Sequence, residues 1–235
     1  MQKKVVAIIL AAGEGRRLKS DRPKIFVNIE DKPILLFSLA ALSHHPFINE
    51  IILVSNRKTI QAVSTFVKKF KFFKVKYIIL GGPTRKDSVA NGLKFVEADK
   101  NKIILVHDAA RPFIEGRLVT RLIKDAFKFK AAIPAVPVKA TIKSAKYKNN
   151  ILYVGKTLPR QNLWEVQTPQ AFRSDLLKEA YFRLGDLSVT DDAQLLEKLG
   201  IKPKIVLGSY SNIKITTFED LIFAKELAKK FKFSK

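Results

Sequence analysis

The sequence predicts an α/β fold with a mainly parallel central sheet, helices on both faces and a protruding β-arm. Three observations lead there. Short apolar, β-branched runs alternate with helical patterns through the first 136 residues. The runs lack polar alternation, as strands buried on both faces do. The alternation then breaks at 138–160, where a lysine-rich segment surrounds an Asn149–Asn150 pair.

Taken in order, VVAIIL (5–10), EIILVS (50–55), VKYIILG (75–81), KIILVHD (102–108) and AAIPAV (131–136) are bounded by turn residues and read as strands. The amphipathic stretches 33–44, 57–70, 87–98 and 117–129 supply the crossover helices that parallel strands require. Residues 138–160 read as a hairpin turning at the Asn pair. It has too few core residues to stand alone, so packing on another subunit is expected. Helices near 174–183 and 191–199, a strand at 204–207 and a closing helix at 217–231 complete the chain. No repeat, linker or low-complexity tract divides it, so residues 1–235 are expected to form a single domain with 138–160 as a dimerisation arm.

Composition narrows the function. With 47% hydrophobic and 28% charged residues the chain is globular, not disordered. The absence of Cys excludes a disulfide scaffold, a thiolate metal site and a cysteine nucleophile, and three His do not make a metal cluster. No apolar run approaches the roughly 20 residues of a membrane span. The short run Val5–Ala12, followed at once by Glu14, Arg16 and Arg17, reads as a first strand rather than a signal peptide, and a cytoplasmic protein is expected. Lys and Arg number 44 against 21 Asp and Glu, a formal charge of +23. That balance favours anionic partners: nucleic acid, an acidic membrane surface or phosphorylated small molecules.

The segments that follow strands carry the candidate chemistry, because open parallel sheets bind ligands beyond the carboxyl ends of their strands. AAGEGRRLKSDRPK (11–24) combines small residues, through which backbone N–H groups approach an anion, with Arg16, Arg17, Lys19, Arg22 and Lys24. A nucleoside triphosphate is the natural fit. The P-loop pattern is absent, and Leu18 occupies the place of the third glycine of a dinucleotide fingerprint, which argues against a Walker ATPase and an NAD dehydrogenase. In GGPTRKDSVANGL (81–93), Asp87 or Ser88 suits a helix cap, or Ser88 and loop amides a base edge. VHDAARP (106–112) offers Asp108 either to Mg²⁺ or a ribose hydroxyl, or to Arg111 as an ion pair; His107 reads as a packed histidine. Further on lie LWEVQTPQAF (163–172), then Thr190 as a helix start with Glu197 on that helix. Lys214, between Ile213 and Ile215, is expected to face opposite to them on a strand, toward a bound phosphate or toward solvent.

A-A-G-x-G-x-R with P-K, G-G-x-x-R-x-D-S-V-x-x-G-L, V-H-D-A-A-R-P, Q-T-P-Q-x-F, T-D-D-A and N-I-K-I-T-x-x-E-D-L occur in this order, within a match that runs from about residue 5 to 228. The set resembles the 2-C-methyl-D-erythritol 4-phosphate cytidylyltransferase family. The resemblance implies a Rossmann-like nucleotidyltransferase fold whose β-arm interlocks two subunits. It also implies transfer of the cytidylyl group of CTP to 2-C-methyl-D-erythritol 4-phosphate, with pyrophosphate released and a divalent cation, usually Mg²⁺, required. By position, Arg17 and Lys24 correspond to the transition-state pair, and Arg160 and Lys214 to the residues positioning the acceptor phosphate. Ala11, Ala12, Gly13, Gly82 and Ser88 correspond to the wall around the nucleotide, and Asp108 and Ala109 to its ribose and metal side. Arg111, Thr141 and Thr168 correspond to acceptor contacts.

Ile25, Pro83, Ala140 and Phe218 depart from the family's usual residues, none of them at a charged position assigned to chemistry. A ribitol 5-phosphate cytidylyltransferase is the nearest rival; its opening motif is of the A-G-G type, unlike Ala11, Ala12 and Gly13. A pyrophosphorylase using UTP or GTP accounts for fewer of the motifs. A basic nucleic-acid-binding module matches the charge, but apart from 68–76 the lysines are not interleaved with aromatics, and no specific nucleic-acid or membrane partner is expected.

Overall fold

The computed structural model describes residues 3–18 and 20–230. Lys19, the Arg16 side chain and the last predicted residue of the closing helix, Phe231, lie outside that description. The sheet grows outward from β1 (Lys4–Leu10), flanked in parallel by β4 (Glu50–Ser55) and β6 (Lys102–Asp108), with β5 (Val75–Leu80) beyond β4. Residues Asn28–Ile29 (β2) and Lys32–Pro33 (β3) form a separate small ladder.

The lack of alternation in these strands has the predicted cause. Val5, Ala7 and Ile9 of β1, Ile51 and Leu53 of β4, and Ile103 and Leu105 of β6 enter one core. Val6, Ile8, Ile52, Val54, Ile104 and Val106 enter a second core on the opposite face. The first is covered by α1 (Ile34–Ser43), α2 (Ile60–Lys69) and α4 (Gly116–Phe129). Helix α4 buries Leu118, Val119, Leu122, Ile123 and Ala126, one stripe at helical spacing. The second face is covered by α3 (Arg85–Leu93), α5 (Ser174–Leu184) and α6 (Ala193–Lys198). Helix α3 lies close to β1 because position 92 is glycine: a Cβ there would sit 2.9 Å from Cγ2 of Ile8. A third cluster seats α7 (Phe218–Lys230) against Phe37 and Phe113 through Leu221 and Ala224.

Beyond β6 the sheet departs from the simple parallel expectation. Strand β7 (Ala131–Pro137) is separated from β6 by β11 (Gln170–Arg173), which runs antiparallel to both. Upstream, β10 (Trp164–Val166) continues antiparallel along β7, and β12 (Lys204–Leu207) pairs with β7 in parallel. The 163–172 motif is therefore an interrupted strand. Its break at Gln167–Pro169, with a cis Thr168–Pro169 bond, turns Thr168 toward the end of β6.

The hairpin forms as read: β8 (Ile142–Lys148) and β9 (Ile151–Leu158) pair only with each other, turning at Asn149 and Asn150 with φ of 51° and 60°. Successive positive φ values are those of the type I′ turn, which Asn tolerates.

Candidate active site

Strand β1 lies where the connections reverse direction, with β4 on one side and β6 on the other. A ligand crevice is expected at the carboxyl ends of strands at such a switch point. A cleft of about 720 Å³ opens there, and its lining includes Ala12, Gly13, Arg17, Lys24, Asp108 and Lys214. A second cavity of about 390 Å³, between the break in β10–β11 and the start of α6, shares Arg85, Asp108 and Lys214 with it.

Backbone bonds fix the walls. The amide of Ala11 donates to the Val54 carbonyl at 2.7 Å, and that of Gly81 to Ser55 at 2.8 Å. Asn56 donates to the Ala12 carbonyl at 3.0 Å and with its Oδ1 accepts from Lys58 and Thr59 amides, so one side chain ties the loop after β1 to the end of β4. The cap of α3 is Thr84, in a capping box with Asp87, rather than Asp87 or Ser88 as the cap itself. Ser88 lies inside the helix, accepting from the Gly82 amide and donating to the Thr84 carbonyl. Gly15 adopts φ +70°, and a Cβ there would sit 2.5 Å from Cβ of Lys24. The turn thus demands glycine twice, for its dihedral and for the closeness of Lys24.

The charged groups converge on Asp108. Its Oδ1 accepts from Nε of Arg85 at 3.2 Å and its Oδ2 meets Nζ of Lys214 at 2.6 Å. Arg111 is not its partner; that guanidinium donates to the carbonyls of Asn212 and Val166. Burial would raise the Asp108 carboxyl, but Arg85 and then Lys214 outweigh it and hold it well below the usual carboxylate range. Lys24 donates to the Ile215 carbonyl at 3.1 Å; burial, and next the nearby Lys214 charge, lower its pKa. Lys214 lies in an extended segment that is not part of a strand, although Ile215 beside it is buried as the alternation predicted.

His107 is fully buried and pushed down to about 3 by that burial, so it is neutral. Its partners fix the proton. The Arg111 carbonyl only accepts, so Nε2 carries the hydrogen, at 3.2 Å. Nδ1 then accepts from the Thr168 hydroxyl at 3.0 Å, and the Thr168 oxygen accepts from the Asp108 amide at 3.1 Å. This relay sets the end of β6.

Among the residues expected at the site, Ala11, Ala12, Gly13, Arg17, Lys24, Gly82, Ser88, Asp108 and Lys214 line the main cleft. Arg111 and Thr168 line the second cavity together with Thr190 and Glu197. Thr190 is not the start of α6, whose N-cap position is Asp192. Ala109 is fully buried, its amide bonded to the Leu10 carbonyl, and Ala110 takes its place on the cleft wall. Thr141 and Arg160 stand at the arm, exposed and away from both cavities; Arg160 donates to the Lys139 carbonyl at 2.6 Å. Sequence reasoning missed Asn56 and Arg85, although Arg85 sits inside a motif it singled out.

As a cation site, Asp108 stands without a cluster: no group of three or more His, Cys, Asp or Glu is positioned for a metal among the described residues. One ionised hard-oxygen ligand beside a cleft lined by Arg17, Lys24 and Lys214 is a donor of the type Mg²⁺ takes, since that ion usually keeps waters and substrate phosphates as its other ligands.

A switch-point cleft of small residues and converging cations, on a mostly parallel sheet, defines the class: an α/β nucleotidyltransferase. Residues 5–230 match the family profile described as IspD, 2-C-methyl-D-erythritol 4-phosphate cytidylyltransferase, and the chain belongs to that family. A curated 2-C-methyl-D-erythritol 4-phosphate cytidylyltransferase of Alkaliphilus metalliredigens is 44% identical over 225 residues, 94% of this chain and 92% of its own. One of Syntrophus aciditrophicus is 42% identical over 98% of both chains. The solved 4-diphosphocytidyl-2C-methyl-D-erythritol synthase of Anaerococcus prevotii superposes with a TM-score of 0.82 at 34% identity, covering 97% of this chain and 96% of its own.

Proposed function

We propose that the protein transfers the cytidylyl group of CTP to 2-C-methyl-D-erythritol 4-phosphate, a step of non-mevalonate isoprenoid precursor biosynthesis. The observation that carries the reading is the meeting of Arg17, Lys24, Asp108 and Lys214 on one cleft at the ends of β1 and β6, in a chain whose relatives bear that activity in their names. A phosphate oxygen of the acceptor attacks the α-phosphorus of CTP in line. The bond from that phosphorus to the bridging oxygen breaks, and pyrophosphate leaves with the electron pair.

The acceptor phosphate is already ionised at neutral pH, so no general base is required, and His107, neutral and fully engaged, does not act as one. The barrier is repulsion between two anions, which positioning and charge stabilisation lower. Arg17 and Lys24 offset charge growing on the α-phosphate and leaving group, while Lys214 and Arg160 hold the acceptor phosphate. Ala11, Ala12, Gly13, Gly82 and Ser88 form the nucleotide wall, with Ala109 behind Asp108; Arg111, Thr141 and Thr168 face the acceptor. Asp108 would hold Mg²⁺, which when bound supplies charge neutralisation on the phosphates.

Arg160 and Thr141 reach such a site in a homodimer, where the arm of one subunit enters the cleft of the other. Support comes from the arm itself. An isolated two-stranded hairpin is marginal in water, and this one leaves Tyr147, Ile151, Leu152, Tyr153 and Val154 exposed. No helix among the described residues is long and apolar enough to cross a membrane.

The test is pyrophosphate release from CTP and Mg²⁺ with 2-C-methyl-D-erythritol 4-phosphate and ribitol 5-phosphate in parallel. Release with the first acceptor alone is expected. Release with ribitol 5-phosphate alone would overturn the acceptor assignment, and release with neither would overturn the activity.

A further inference from the structure

We infer that Arg85 is a positioning residue of the transfer reaction: it bridges Asp108 of the nucleotide cleft to Asp192 of the α5–α6 layer and so fixes where Lys214 meets the acceptor phosphate. The inference rests on the function proposed above and deepens it.

Arg85, Asp108 and Lys214 are the charged residues common to both cavities, so Arg85 stands in the partition between them. One edge of its guanidinium serves Asp108, with Nε 3.2 Å from Oδ1. Another forms an ion pair with Asp192, with Nη2 2.8 Å from Oδ2 but not aligned as a hydrogen bond. Asp192 is only 1% exposed and is itself fixed by the Tyr181 hydroxyl, which donates to its Oδ1 at 2.5 Å. Burial, then Asp192, keep that phenol far from ionising, so it remains a donor. The row Tyr181–Asp192–Arg85–Asp108–Lys214 thus carries two carboxylates and two cations, and of the cations Lys214, with a side chain 41% exposed against 28% for Arg85, is the more open to a ligand.

That balance gives Arg85 its effect on the reaction. Without it, Asp192 loses its ion-pair partner and Asp108 loses one of two, so Lys214, already 2.6 Å from Asp108, is held there more strongly and is less available to the incoming phosphate. Lysine does not replace it, because a single ammonium lacks the planar fork that reaches both carboxylates at once.

The full-length protein carrying Arg85→Ala is assayed for pyrophosphate release, with CTP and the acceptor varied in turn. Guanidinium chloride is added at concentrations that leave the fold intact, with sodium chloride as the ionic control. A misplaced reacting group costs about 10²-fold in rate. We expect that loss in kcat, a rise in KM for the acceptor larger than any for CTP, and partial, saturable recovery with guanidinium but not with sodium. Unchanged kinetic constants overturn the inference, as does a loss that guanidinium leaves untouched in a variant that melts like the wild type. Should Arg85→Ala not fold, Arg85→Lys carries the test: about tenfold lower kcat/KM for the acceptor supports the inference, and wild-type constants overturn it. Wild type assayed alongside separates the two claims. An inactive wild type refutes the proposed function and this inference with it, whereas an active wild type beside unaffected variants refutes the role of Arg85 alone.

Discussion

Replacing Thr168 by Val tests whether the relay at the end of β6 holds the cleft together. Val keeps the branched shape of Thr and puts a methyl group in place of the hydroxyl. Two buried groups then lose their partner: the Asp108 amide, which donates to Thr168 Oγ1 at 3.1 Å, and His107 Nδ1, 3.0 Å from the same oxygen. His107 is fully buried and Asp108 is 7% exposed, so water does not readily replace the hydroxyl. An unsatisfied buried polar group costs about 1–3 kcal/mol. The two losses share one site and are not fully additive, so we expect about 2–4 kcal/mol in all. Thr168→Ser removes one methyl and keeps both bonds, a loss of about 1 kcal/mol. The assay is urea denaturation of both variants beside the wild type, with unchanged slope as the sign of an unchanged unfolding reaction. The polar variant should be the more stable of the two at a buried position, the reverse of what side-chain volume predicts. A Val variant within about 1 kcal/mol of wild type, or a Ser variant less stable than Val, would refute the reasoning.

Three further outcomes are expected. Because burial and Lys214 lower the pKa of Lys24, the free enzyme loses this charge below the ordinary lysine value of 10.5; kcat/KM for CTP should therefore fall on an alkaline limb centred below that value. In Lys24→Arg the limb moves upward, since guanidinium keeps its proton, and identical limbs in the two proteins would remove Lys24 from the assignment. Arg17→Ala should lower kcat by about 10²–10³, as loss of a charge-stabilising donor does; near wild-type turnover contradicts its role. Gly15→Ala puts a Cβ at φ +70° and 2.5 Å from Lys24, so CTP turnover should drop while the main cores remain intact, as seen by comparing kinetics with the unfolding midpoint.

What was legible in the sequence follows from which forces are local. Strands β1, β4 and β6 could be read because both of their faces are apolar, and their carboxyl ends then located the cleft. The arm could be read because Asn149 and Asn150 encode a turn that few residue pairs adopt. Strands β10 and β11 could not: they are three and four residues long, contain Glu165 and Gln170, and flank Pro169, so their pairing comes from tertiary contacts with β7 and β6. The Lys214 segment alternates like a strand but forms no ladder: one backbone bond, from the Ile215 amide to the Ala110 carbonyl, joins it to the end of β6, and side chains of Lys24 and Arg111 hold its carbonyls. Thr84 and Asp87, three residues apart, carry the spacing of a capping box, a signal present in the sequence beside the Asp87 and Ser88 candidates. Arg85 and Asn56 act through partners on other elements, and only the fold brings those together.

The central claim is that a cytidylyl group moves from CTP to the phosphate of 2-C-methyl-D-erythritol 4-phosphate. Phosphorus NMR of the completed reaction tests it most directly. We predict two mutually coupled diphosphate signals in the nucleotide product, in equal amount with free pyrophosphate and with matching loss of the acceptor's monoester signal. Pyrophosphate or CMP accumulating while the monoester signal stays unchanged would contradict it.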